Sequence, residues 1–346
     1  MITRPGGITI MVPTLRRLTC LACLLFAFQA LASQVGWTQI ELPGAAPGSP
    51  VTTVALYYPT KDASRPVAMG PFTPVVAFHG DPVPGFKALI LVSHGLSGSE
   101  LGHSRLAEAL AAQGYLVAAL RHPGDNWQDN SLLTKTPERY FFERPRQVSR
   151  VIDALLADPV WKGRIPRDAQ GLRIGAFGHS AGGYTVIALA GGEPDPARVL
   201  RHCREEGAED PIYCRTGRSV LSPAPPSDSL PLRDPRVRAV VALAPVGVIF
   251  SAKSLAEIKI PVAVYGPEKD RWLVSRFHAE WIAQNLPGVE FHRVPNAWHF
   301  VFMDTPSMAI QTPDGDIAAN PPGFDRAAFL KQLGTEMTLF FDRTFK

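Results

Sequence analysis

Gly178-His179-Ser180-Ala181-Gly182 sets a serine between two glycines, each two positions away. This pattern suits a nucleophile held on a sharp strand-to-helix turn, where side chains at the flanking positions would clash. The surroundings agree: Leu172–Phe177 (LRIGAF) reads as a strand, and Ala181–Ala190 (AGGYTVIALA) as a helix. A serine hydroxyl attacks a carbonyl well only when a base removes its proton. His299, in Asn296-Ala297-Trp298-His299-Phe300, follows the last apolar strand and is the candidate base. An acid is needed to orient that imidazole and stabilise its charged form. Asp270 ends the strand-like run Val262–Tyr265 and its loop, with Glu268 as a nearby rival. The order Ser…acid…His is one of the known chain orders for such a triad. Asp304 reads as a loop acid. Of the other histidines, His278 falls on a predicted helix and His292 on a strand, where neither needs a special role.

The oxyanion formed on attack needs two preorganised N–H donors. The amide of Ala181 is one candidate. The other is the amide of Leu96, in Ser93-His94-Gly95-Leu96-Ser97-Gly98, a glycine-bearing loop after the strand Ala88–Ser93.

These residues must be positioned by a larger frame. Short apolar runs at Val51–Tyr58, Ala88–Ser93, Tyr115–Leu120, Leu172–Phe177, Val237–Leu243, Val262–Tyr265 and Val289–Val294 read as strands. Segments with helical spacing at Gly102–Gln113, Arg146–Ala157, Ala181–Ala190, Trp272–Asn285 and Phe324–Phe341 separate or follow them. The alternation predicts an α/β fold, a mostly parallel sheet with helices on both faces. Two stretches interrupt it. Gly124–Tyr140 is polar and aromatic, and Gly191–Pro235 is long and rich in proline and charge. The latter is expected to be a cap-like excursion after the nucleophile helix, over the carboxyl edge of the sheet, where ligands bind in open α/β sheets.

Arg16 and Arg17 precede an apolar run from Leu18 to Ala30, and Ala30-Leu31-Ala32 follows. That order of charge, apolar core and small residues predicts a secretory signal over residues 1–32, with Met11 as an alternative start, and a hydrolase domain over 33–346. Export to the periplasm or medium follows, with no stable membrane anchor after signal removal. Three basic residues fall in the signal, so the rest of this chain of 346 residues is close to neutral. No basic patch points to nucleic acid. Two cysteines remain, Cys203 and Cys214, both inside the 191–235 excursion. In an oxidising compartment a lone local pair reads as a disulfide; two unrelated buried thiols are the alternative. With only His202 nearby, a metal site is not expected.

LVSHGLSGS (91–99), ALRHPGDN (119–126), GHSAGG (178–183), VYGPEKD (264–270) and NAWHF (296–300) together resemble the α/β-hydrolase superfamily. More narrowly they resemble its predicted dienelactone hydrolase branch, near the platelet-activating-factor acetylhydrolases and bacterial cutinase-like esterases. The resemblance spans roughly Val51 to the C-terminus. It implies a Ser–His–acid mechanism, ester substrates and no cofactor, with His122 shaping the site wall. The sequence departs from true dienelactone hydrolases in having Ser180 rather than cysteine. It departs from the acetylhydrolases in lacking an acid at VALAPV (241–246), which favours Asp270. A serine esterase acting on a small-molecule ester is the expectation. A peptidase or amidase with the same triad, or a non-catalytic binding protein on the same fold, are the alternatives.

Overall fold

The computed structural model describes residues 34–44, 48, 50–217 and 231–346. The expected signal, residues 1–32, lies outside them, as does part of the excursion. In chain order the main strands are β1 (Gln34–Leu42), β2 (Thr52–Thr60), β3 (Arg65–Pro66), β4 (Val75–Phe78), β5 (Leu89–Ser93), β6 (Leu116–Leu120), β7 (Ile174–His179), β8 (Val237–Leu243), β9 (Val262–Pro267) and β10 (Glu290–Val294). They form one sheet in the order β10-β9-β8-β7-β5-β6-β2-β1-β4-β3. From β10 to β6 every neighbouring pair is parallel, whereas β2 runs antiparallel to both β6 and β1. The expected mostly parallel α/β sheet is therefore present, extended by strands at one edge that the apolar-run pattern did not reveal.

Parallel strands buried on both faces read as unbroken apolar runs. In β5, Leu89 and Leu91 enter one core and Ile90 and Val92 the other, as alternation of side chains along a strand demands. Helix α1 (Ser104–Ala112) and the closing helix α7 (Arg326–Thr344) cover the second face. Helices α2 (Tyr140–Ala157), α3 (Ala181–Ala190) and α6 (Ala279–Asn285) cover the first.

Two expectations are corrected. Helix α2 begins at Tyr140, not Arg146, and carries Pro145 inside it. Proline removes the amide that would bond the carbonyl four residues back, but the Phe141 carbonyl accepts the Tyr184 hydroxyl at 2.8 Å instead. Trp272–Asn285 is not one helix. It opens as a loop, passes through a short 3-10 turn at Ser275–Phe277 and becomes α6 only at Ala279. At its start the Asp270 carboxylate takes the amides of Trp272 and Leu273. The described part of the excursion contains α4 (Pro196–Glu205) and α5 (Pro211–Gly217), and both cysteines lie on them. The Asp195 side chain caps α4 by accepting the Arg198 amide, with Pro196 at the first helical position.

Candidate active site

The chain crosses from β6 over to β7 on the far side of β5, so β5 and β7 meet at the point where the strand order reverses. Ser93 pairs with Gly178 at their carboxyl ends. This is the place where open α/β sheets bind ligands. The loop carrying Leu96 and the turn carrying Ser180 both leave the sheet here.

Ser180 has φ 59° and ψ −117°, a conformation that side chains rarely adopt. Its amide donates to the Leu243 carbonyl at 2.9 Å. Its carbonyl accepts the amides of Tyr184 at 3.1 Å and Val246 at 3.2 Å. The glycines on either side are sterically required. A Cβ at Gly178 would lie 2.2 Å from the Gly182 oxygen, and one at Gly182 only 1.8 Å from the Ser93 oxygen.

His299 opens a short 3-10 turn after β10. Its Nδ1–H donates to Asp270 Oδ2 at 2.7 Å, and both residues are buried. Asp270 Oδ1 accepts the Trp272 and Leu273 amides at 2.8 and 2.9 Å, so both carboxylate oxygens are engaged. Nδ1 is thereby committed as donor, and Nε2 is the nitrogen left to accept a proton. The Trp272 ring stacks along the imidazole at 5.9 Å. The rival acid does something else: Glu268 accepts the Asn296 amide at 2.9 Å and so pins the turn that leads into His299. The Asn296 residue itself sits at φ 52°. His179, next to Ser180, donates from Nε2 to the His299 carbonyl at 3.0 Å, which ties the Ser180 turn to the His299 loop. Burial, then the neighbouring His299, hold the His179 ring well below the ordinary histidine range.

Leu96 and Ala181 lie on the two segments that meet at Ser180. A Cβ at Gly95 would be 3.3 Å from that of Ser180. The Gly95 carbonyl accepts His94 Nδ1–H at 2.6 Å and the Gly98 amide at 3.2 Å. Because a trans peptide unit is planar, its C=O and N–H point opposite ways, and the Leu96 N–H is turned away from His94. Ala181 begins α3, where the first amides of a helix have no partner in the helix. Neither amide donates to a protein acceptor among the described residues.

His122 was expected in the site wall, but it is fully buried. Its amide donates to His94 Nε2 at 3.1 Å, and its ring bridges Ser93 Oγ and Gln147 Oε1. Burial pushes His94 down to about 4 and His122 well below the ordinary range, so both stand neutral beneath the loop.

The excursion carries the Cys203–Cys214 disulfide. His202, Cys203 and Cys214 bring ligand atoms within 4.8 Å of one another, but sulfurs joined in a disulfide are not the thiolates a metal site uses. The helices of the excursion are anchored to the chain that follows β8: Asp195 donates its amide to the Ile249 carbonyl, and Arg198 donates to that of Val248. Sequence reasoning gave His278 no role. It is fully buried, and Asp210 Oδ2 lies 2.9 Å from its Nε2 and 3.0 Å from His202 Nε2. Burial alone would raise the Asp210 carboxyl, and the two imidazoles outweigh it and hold it below the usual range. His202 and Asp210 are eight positions apart, but His278 comes from 68 positions beyond Asp210, and no local pattern announces its joining them.

No protein-family model matches this chain, and no curated protein does. Among solved structures it is similar to a ferulic acid esterase from Streptomyces cinnamoneus, with 21% sequence identity over 92% of each chain and a TM-score of 0.62. In all, 695 chains of solved structures match, so the scaffold is widely used and does not by itself choose a reaction. Sheet, helices and this likeness together show that the chain has the α/β-hydrolase fold.

Proposed function

We propose that the chain is a serine hydrolase that cleaves carboxylic esters through Ser180, His299 and Asp270. The observation that carries this is the His299–Asp270 bond, which commits Nδ1 and leaves Nε2 as base, on a loop tied through His179 to the strained Ser180 turn. Ser180 Oγ attacks the ester carbonyl while His299 Nε2 takes its proton. The Leu96 and Ala181 amides receive the negative oxygen. Imidazolium, stabilised by Asp270, then protonates the departing alcohol. Water attacks the acyl-enzyme by the same route in reverse and releases the acid. Every step uses groups of the chain itself, so the mechanism calls for no cofactor.

Periplasmic or secreted location is part of the proposal, with residues 1–32 as the signal. The disulfide supports it, because such bonds persist in oxidising compartments. No helix among the described residues is long and apolar enough to cross a membrane. Membership of the predicted dienelactone hydrolase branch rests on the SHGLSGS and RHPG motifs. The 191–235 excursion is proposed as a cap over the site, since its helices are fastened to the chain after β8.

The test is turnover of an ester panel graded in acyl length. Hydroxycinnamic esters belong in it, because the solved neighbour is named a ferulic acid esterase. Anilides with the same acyl groups serve as the amidase control. Ser180→Ala and His299→Ala are each expected to lower kcat by ~10⁴-fold or more, with the double variant little worse than either. Wild-type turnover by either single variant, or faster cleavage of anilides than of esters, contradicts the proposal.

A further inference from the structure

We infer that Arg144 is a positioning residue for the oxyanion site, holding the Leu96 and Ala181 segments in register from below. The inference rests on the esterase function proposed above. Arg144 is the largest of the fully buried side chains among the described residues. Its guanidinium reaches four groups on three segments. One Nη pairs with Asp125, which is also fully buried. The other donates to the His94 carbonyl and, at 3.2 Å, to Ser93 Oγ. Nε donates at 3.2 Å to Thr185 Oγ1.

Each partner leads directly to an oxyanion donor. Ser93 and His94 are the root of the loop that presents Leu96. The Asp125 carboxylate accepts the Ser97 amide at 2.8 Å, fixing that loop on the other side of Leu96. Thr185 Oγ1 donates in turn to the Ala181 carbonyl at 2.9 Å, so the same guanidinium holds the first turn of α3. Tyr140 donates to the second Asp125 oxygen at 2.7 Å and completes that carboxylate. The two donor segments touch with no slack, since a Cβ at Gly182 would strike the Ser93 and His94 oxygens.

A planar fork with fixed donor directions can hold three segments at set angles, which a lysine ammonium on a flexible stem cannot. Energy argues for the same role. A buried ion pair is often no more stabilising than apolar residues of equal volume. Its use here is geometric, because misplacing a reacting group by ~1 Å can cost ~10²-fold in rate. Arg144 is fully buried and its hydrogen bonds go to the loop, to Asp125 and to Thr185 rather than to His299, so it acts through the loop and the helix.

The test compares Arg144→Lys and Thr185→Val with wild type. Active sites are counted by fluorophosphonate titration, so that kcat refers to folded enzyme. Ester kcat and KM are measured with the pH profile, together with the affinity of a trifluoromethyl ketone, which forms a tetrahedral oxyanion on Ser180. Arg144→Lys is expected to lower kcat by ~10²-fold with KM changed less than about threefold, and to weaken the ketone by a similar factor. The pH profile should not move, because the base is untouched. Thr185→Val is expected to lower both quantities by several-fold, and it carries the test alone if Arg144→Lys does not fold. A folded variant with wild-type kcat and ketone affinity, or one that loses only KM, overturns the positioning role. A wild-type protein that turns over no ester and takes no fluorophosphonate overturns the esterase function instead, and this inference with it.

Discussion

Glu268 and Asp270 stand two residues apart after β9 and hold opposite sides of the histidine loop. Glu268 takes the amide of Asn296, and Asp270 takes the ring of His299. The division of labour predicts a clean contrast. Asp270→Asn cannot fix the imidazole tautomer and should lower kcat by ~10³–10⁴-fold. Glu268→Gln should retain most of kcat and lower the melting temperature by a few degrees, because one loop hydrogen bond is weakened. Steady-state kinetics and thermal melts on the two variants check this. Equal losses of kcat would remove Asp270 from its assigned role.

The Tyr184 hydroxyl fills the place that Pro145 leaves open on the Phe141 carbonyl. Tyr184→Phe should therefore cost ~1–2 kcal/mol, since a buried acceptor loses its partner. Pro145→Ala restores an amide donor to the same carbonyl. In that background Tyr184→Phe should cost clearly less. A double-mutant cycle by urea denaturation measures the coupling, and strict additivity would show that the two groups do not share the carbonyl.

Both ring nitrogens of His103 are buried without a hydrogen-bond partner among the described residues, and burial pushes the ring down to about 3. The unfolded chain binds the proton near the ordinary histidine value while the folded chain does not. Between those two values the unfolded state carries more protons, so stability is lost as pH falls from about 6.5 toward 3. The slope from this one group is ~1.4 kcal/mol per pH unit. His103→Phe, which keeps an aromatic ring against Phe177, should flatten that acid limb and leave stability at pH 8 little changed. An acid limb identical to wild type would show that His103 does not contribute to it.

The Cys203–Cys214 bond closes a short loop, with a sequence separation of 11. In the chain-entropy view such a closure stabilises by ~3 kcal/mol. Replacing both cysteines by serine should lower stability by up to that amount and change KM or ester preference more than kcat, because the excursion is proposed to cap the site. Unchanged ester preference in a destabilised variant would leave the bond a structural role only.

Much of the candidate site was legible in the sequence because its signals are local. The Gly-x-Ser-x-Gly spacing reports a steric demand that glycine alone meets at Gly178 and Gly182. Asp270 and His299 each follow an apolar strand, and strand ends are easy to read. The start of α2 was missed because Pro145 reads as a helix breaker, and its compensation by Tyr184 comes from a helix 39 positions away. The helices of the excursion were missed because proline and charge hid them, although Asp195-Pro196 is a recognisable cap. His122 was placed in the wall on a motif, whereas burial and its bonds to His94 and Ser93 put it underneath. The bonds of Arg144 and the bond from His278 to Asp210 were illegible, since they join residues far apart in the chain.

The central claim is that Ser180 is a nucleophile activated by His299. Its most direct measurement is intact-protein and peptide mass spectrometry after reaction with a fluorophosphonate, with ester turnover followed in the same sample. One adduct per chain is expected, on Ser180, with turnover lost in proportion to labelling and labelling slowed ~10³-fold or more in His299→Ala. An adduct elsewhere, or full ester turnover by a chain labelled at Ser180, would contradict it.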